Sequence, residues 1–169
     1  MILSKHSVLR TSLFLLILIA TAIRGFAAVQ SISITSKETV LNGKEFGNHG
    51  AYEIWKGTIS FSFDPLNKEN QRITDIDLAK KSESGFVDAS ANIVILKPVD
   101  MSKASGTGLV EVSNRGGKFS MRYFNLADKT NLDVNDPEAF GDGLLMEQGL
   151  VVVWVGWEFD VPDRDGLLR

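Results

Sequence analysis

Val151-Val152-Val153-Trp154-Val155 is an unbroken apolar run between Gly149 and Gly156. It restricts what this chain can fold into more than any other stretch. Five successive large apolar residues offer no polar face to water, so the run suits a strand buried on both faces, as in a parallel sheet. A second apolar run, Leu109-Val110-Glu111-Val112, stops at once in Asn114-Arg115-Gly116-Gly117-Lys118. Between the two, Asp142 is placed to cap a short helix through Leu144, Leu145 and Met146, with Gly149 past its end. Strand 109–113, a loop and helix, and strand 150–155 then form one βαβ-like unit. Nine residues follow Asp160, so a sheet whose buried strands begin there reads as unfinished.

Residues 52–97 have a different character. Ile59, Phe61 and Phe63 alternate with Thr58, Ser60 and Ser62, the period-2 pattern of a half-buried strand across Tyr52–Phe63. Asp64-Pro65 ends it, because proline cannot donate to a ladder. A short first strand near 32–35 precedes it, followed by turns at Asn42-Gly43 and Gly47-Asn48-His49-Gly50. An imperfect alternation predicts a further strand at 72–78, and a longer one is expected at 86–97, stopped by Pro98. The expected class is therefore β-rich α/β: an N-terminal antiparallel β-meander with one wet face, leading into the first strands of a parallel sheet.

The first 27 residues belong to another class. Lys5, His6 and Arg10 precede the uncharged run 13–23, and Gly25-Phe26-Ala27 places small residues around a cut after Ala27. This is the pattern of a secretory signal peptide, and the run is shorter than the ~20 residues of a spanning helix. Arg24, between the run and the cut, is an irregularity. The expectation is an exported, periplasmic or extracellular protein whose only membrane contact is this leader. Removing Lys5, Arg10 and Arg24 from the 18 Lys+Arg leaves 15 against 21 Asp+Glu, a mature net charge of −6. An acidic chain without a basic stripe is a poor nucleic-acid binder.

Most self-contained chemistries are excluded by composition. With no cysteine there is no disulfide, thiolate nucleophile or Cys-based metal site. After cleavage His49 is the only histidine, and it stands in a turn; G-x-S-x-G occurs nowhere. His49 and Glu53 lack the order of a zinc-protease motif. Asp133-x-Asn135 opens like a calcium loop but meets Pro137 and Glu138 where a ligand and glycine are needed. The pairs Gly106-x-Gly108 and Gly141-x-Gly143 lack the third glycine of a dinucleotide fingerprint. No metal or cofactor is expected. Glu111, set in an apolar strand, needs a cationic or hydrogen-bonding partner that the sequence does not name.

The order of segments carries a resemblance. Phe46-Gly47-x-x-Gly50-x-Tyr52-Glu53-x-x-x-Gly57-Thr58 is followed by Asp64-Pro65 and Ile73-x-Asp75-Ile76-Asp77-Leu78-Ala79. Ile95-Leu96-Lys97-Pro98-Val99-Asp100 and Glu111-Val112-x-Asn114-Arg115-Gly116 come next. Gly143-x-Leu145, Gly149 and Val153-Trp154-x-Gly156-Trp157-x-x-Asp160-Val161-Pro162 close the series. Over nearly all of 40–169 this resembles the N-terminal part of a secreted, esterase-like α/β-hydrolase domain family; Lys80, where proline is expected, departs from it. The resemblance implies an incomplete α/β-hydrolase sheet across 28–169, stopping before the nucleophile, and a small-molecule ester as substrate of the complete protein. It places Asn114, Arg115, Gly116 and Gly117 in the oxyanion loop, with backbone N–H groups near the glycines facing the substrate carbonyl, and sets Gly156 and Trp157 beside the same cleft. Valine at Gly116 or Gly117 is then expected to lower turnover with little loss of stability.

The residues by themselves leave two alternatives: a β-turn whose Arg115 and Lys118 are solvated, and a secreted β-rich binding module or inactive remnant. An isolated 28–169 is expected to leave Val151–Val155 as an aggregation-prone edge.

Overall fold

The computed structural model describes residues 28–129, 131–163 and 166–169. The leader assigned to 1–27 lies outside them. Five strands form one mixed sheet: β1 (Ala28–Thr39), β2 (Tyr52–Phe63), β3 (Val87–Pro98), β4 (Gly108–Val112) and β5 (Val151–Val155), in the order β1-β2-β3-β5-β4. β3 runs antiparallel to β5, with Ile93 opposite Val155. β4 runs parallel to β5, with Val112 opposite Val155. Two short helices, α1 (Phe119–Asn125) and α2 (Leu144–Glu147), complete a β-rich α/β fold.

The alternating segment forms β2 with the bounds its pattern predicts, and Asp64-Pro65 ends it. The apolar run 151–155 becomes an interior strand, not an edge. Its two faces differ. Val152 and Trp154 are fully buried in the main core with Tyr52, Ile54, Leu96 and Met146, while Val153 and Val155 are half-buried over a smaller cluster of Ile59, Ala91 and Ile93. The edge on that side of the sheet is β4, where Val110 and Val112 are exposed.

Buried polar groups pin the main core. The Tyr52 hydroxyl donates to the carbonyls of Met146 and Leu150, each at 3.1 Å, and its burial pushes the phenol up to about 12. Asn125, fully buried, donates from Nδ2 to the Phe140 carbonyl at 3.1 Å and accepts the Leu145 N–H at 2.8 Å. The N-cap position of α2 is Gly143, not Asp142 as expected; Asp142, one residue earlier, accepts the Leu144 N–H at 3.0 Å.

The described chain divides into two compact units, Val29–Phe61 with Ala89–Arg169, and Ser62–Asp88. In the smaller unit, 72–78 is not a strand. The chain passes from a 3-10 turn (Asn70–Arg72) through successive turns, with Ile76 donating to the Ile73 carbonyl and Leu78 to that of Asp75. Asp75 takes a left-handed φ of 59°, a conformation Asp tolerates better than β-branched residues. Asp64 and Asn67 further divert backbone N–H groups of Leu66 and Glu69 from any ladder.

Candidate functional site

The parallel pairing of β4 with β5 brings both strands out of the sheet at the same end. Ser113 donates its N–H to the Val155 carbonyl at 2.9 Å, so the chain leaving β4 (114–118) and the chain leaving β5 (156–160) start side by side. In open α/β sheets this carboxyl end is where ligands bind. The sequence-derived candidates Asn114, Arg115, Gly116, Gly117, Gly156 and Trp157 all lie on these two exits.

Arg115 ties the exits together. Its backbone N–H donates to Glu158 Oε2 at 3.1 Å, and its guanidinium meets Glu158 at 3.0 Å and Asp160 at 2.9 Å. Hydrogen bonding to Asp160 and the charges of both acids raise its already high pKa. The residue stands at φ 49°, inside a turn formed by Asn114–Gly116. Such a backbone is strained for a side chain with a Cβ.

The glycines meet the chain's own backbone. Gly116 is buried at φ 78°, and its carbonyl accepts the Leu168 N–H at 3.0 Å; a Cβ there lies 2.7 Å from Leu168 backbone atoms. A Cβ at Gly156 lies 2.5 Å from the Arg169 backbone. One at Gly117 meets the Phe119 ring at 2.6 Å. Valine at 116 therefore carries a stability cost that the sequence alone does not reveal. Gly117 donates its N–H to the Asn114 carbonyl at 3.1 Å. Asn114 is exposed, and Trp157 is 63% exposed, so it is no part of the core.

Glu111 has its partners. One carboxylate oxygen accepts the Phe119 N–H at 2.9 Å; the other accepts the Ser120 N–H and Trp154 Nε1, both at 2.8 Å. One acid thus satisfies the first N–H groups of α1 and anchors the largest core side chain. The adjacent Ser113 hydroxyl is buried without a hydrogen-bond partner among the described residues.

Lys118 is not solvated. It is 3% exposed, and its ammonium donates to the Gly166 carbonyl. Burial, reinforced by the like charge of Lys56, lowers it to about 8 against the pull of Glu111. Nothing in the sequence marks it, because the segment that covers it arrives almost fifty residues later.

His49 sits at the opposite end of the parallel pair. Its Nδ1 is hydrogen-bonded to the Lys103 carbonyl, ahead of β4, and its ring packs on Gly149, ahead of β5. The acidic stretch 128–142 is met by Lys129, which pairs with Asp136 at 2.5 Å and Glu138 at 3.0 Å. Among the described residues no cluster of His, Asp or Glu is arranged to hold a metal.

Compared with protein-family models, with curated proteins and with solved structures, the chain finds no match.

Proposed function

We propose that this chain is the N-terminal part of an exported α/β-hydrolase-like protein that hydrolyses carboxylic esters. The observation that carries the proposal is the pairing Val112–Val155, which delivers the exits of two parallel strands to one place. Glycine-bearing loops at the carboxyl ends of parallel strands are where such sheets build active sites.

A second feature is consistent with it. β4 presents an open edge with Val110 and Val112 exposed, and Tyr123, Phe124 and Leu126 are exposed on and just after α1. A further parallel strand and its helix, bearing the nucleophile, would cover such surface. The loop after β4 then contributes oxyanion donors. As folded, Gly117 spends its N–H on Asn114 and Arg115 spends its own on Glu158. Either becomes a donor to substrate only by exchanging that internal bond.

The test uses the protein as its source secretes it, with 4-nitrophenyl butyrate as substrate and a fluorophosphonate probe to mark the nucleophile. The expected result is ester turnover, with the probe on a serine outside 28–169. Absence of both turnover and labelling, or a label on a serine within 28–169, overturns the proposal.

A further inference from the structure

A cleft of about 440 Å³ opens in the larger unit. Its volume falls within the ~300–1,000 Å³ range of small-molecule sites. Thr58, Asn92 and Asn131 supply polar groups, Leu132 and Leu168 supply apolar wall, and Lys118 lines it as a buried ammonium.

The charges around the cleft are unequally matched. Lys56, which also lines it, pairs with Glu38 at 2.8 Å. Asp163 pairs with Arg169 at 3.6 Å, and Asp133 accepts the Asn135 N–H at 2.9 Å; both are exposed. Glu111, the acid that acts on Lys118 electrostatically, is engaged by three N–H donors. Among the described residues Lys118 forms no ion pair with a carboxylate; it donates to the neutral Gly166 carbonyl. An ammonium has three donors, and a buried cation without an anion is unfavourable. An anion entering the cleft can accept from the ammonium donors that the Gly166 carbonyl leaves over.

We propose that this cleft binds a small monocarboxylate, its carboxylate on Lys118 and its apolar part against Leu132 and Leu168. Asp133 and Asp163, exposed and lining the same cleft, repel a second negative charge, so dicarboxylates and phosphates are disfavoured. The site stands whether or not the loop after β4 serves ester hydrolysis.

Burial and Lys56 lower Lys118 to about 8, and a bound carboxylate opposes that shift. Binding is therefore strongest below pH 8 and fades as Lys118 loses its proton; Lys56, Glu111, Asp133 and Asp163 are the charged groups around it.

Calorimetric titration of the purified protein at pH 7 with benzoate, butyrate, benzamide and phthalate tests the site. Benzoate or butyrate is expected to bind saturably, and benzamide and phthalate at least about tenfold more weakly, the loss of one charge-assisted contact. Lys118→Met, with folding checked by circular dichroism, is expected to bind benzoate at least about tenfold more weakly. Equal binding of benzoate and benzamide to the unaltered protein overturns the proposal, as does full binding by the variant or the absence of saturation by either monocarboxylate. The benzoate–benzamide comparison needs no variant.

Discussion

Lys97 and Lys118 are both buried cations that donate to a backbone carbonyl, and the rest of their surroundings differ. Lys97, on β3, lies 2.6 Å from Glu53 on β2, donates to the Pro98 carbonyl at 2.9 Å, and sits 4.6 Å from the Trp55 ring centre. Burial by itself would raise the Glu53 carboxyl. The hydrogen bond from Lys97, with the charges of Lys97 and Lys37, outweighs it and holds the acid below its usual range. Lys118 meets one carbonyl and an open cleft. The first cation has its anion in the neighbouring strand; the second has room for one from outside. A charge closed on itself belongs to the architecture, and one left open is poised to bind.

The largest expected effect breaks the closed side. Glu53→Leu leaves Lys97 charged and buried without its acid, and such a change costs about 3–5 kcal/mol. Urea unfolding at pH 7 measures it. A loss below about 1 kcal/mol would mean that the Pro98 carbonyl and the Trp55 ring suffice, and the contrast with Lys118 fails.

Next comes the contact that buries Lys118. Segment 166–168 rests on Gly116 and covers the ammonium. Gly116→Val sets a β-branched residue at φ 78° against Leu168 backbone, combining conformational strain with overpacking for about 2–4 kcal/mol. Lys118 should also become more reactive toward an acylating reagent, read by peptide mass mapping. Unchanged reactivity would show that other elements bury it.

The open side has its own signature in pH. Lys118 falls from 10.5 to about 8 on folding, so between these values the unfolded chain binds more protons than the native one. Stability contributed by this group therefore rises from pH 8 to pH 10.5, by roughly 3–4 kcal/mol at 1.36 kcal/mol per unit. Below pH 8 the native state holds the unpaired charge, and Lys118→Met is expected to be neutral or stabilising by about 1–3 kcal/mol. The gap between variant and wild type should close by pH 10.5. The Tyr52 shift to about 12 is common to both and cancels in the difference. A gap constant with pH would place Lys118 in a solvated environment.

How far the sequence foretold this contrast depends on where partners come from. β2 was legible to its last residue because Ile59, Phe61 and Phe63 alternate cleanly, and β3 differs by one residue at each end from the expected 86–97. The false strand at 72–78 failed on Asp75, whose left-handed backbone, with the turn bonds Ile76 to Ile73 and Leu78 to Asp75, outweighs a weak alternation. Helix α1 was missed because it spans seven residues and its N-terminus is satisfied by Glu111 from β4, not by a cap in its own sequence. That Glu111 needs a partner was readable; that three N–H groups supply it was not. The loop 114–117 and the pair Gly156-Trp157 were readable as candidates, and their adjacency, expected from the βαβ-like unit, follows from the parallel register of β4 and β5. Lys118 was read as solvated in the turn alternative because the carbonyl it meets, that of Gly166, lies almost fifty residues later.

The smallest effect concerns a third cation, Arg115, which is 56% exposed and meets two acids at the surface. Exposed pairs contribute little, so its role in the comparison is conformational: it holds a left-handed turn at φ 49° beside Gly116. Arg115→Gly removes the ion pairs and the strain together, and its Tm is expected to stay within ~2 °C of wild type. Arg115→Ala removes the pairs but keeps a Cβ in the strained backbone, so it should melt ~2–4 °C below the glycine variant. If the two variants melt together, the side-chain contacts and not the backbone set the turn. Arg115 would then resemble Lys97, a charge closed by its partners, and Lys118 would stand as the open cation among these three.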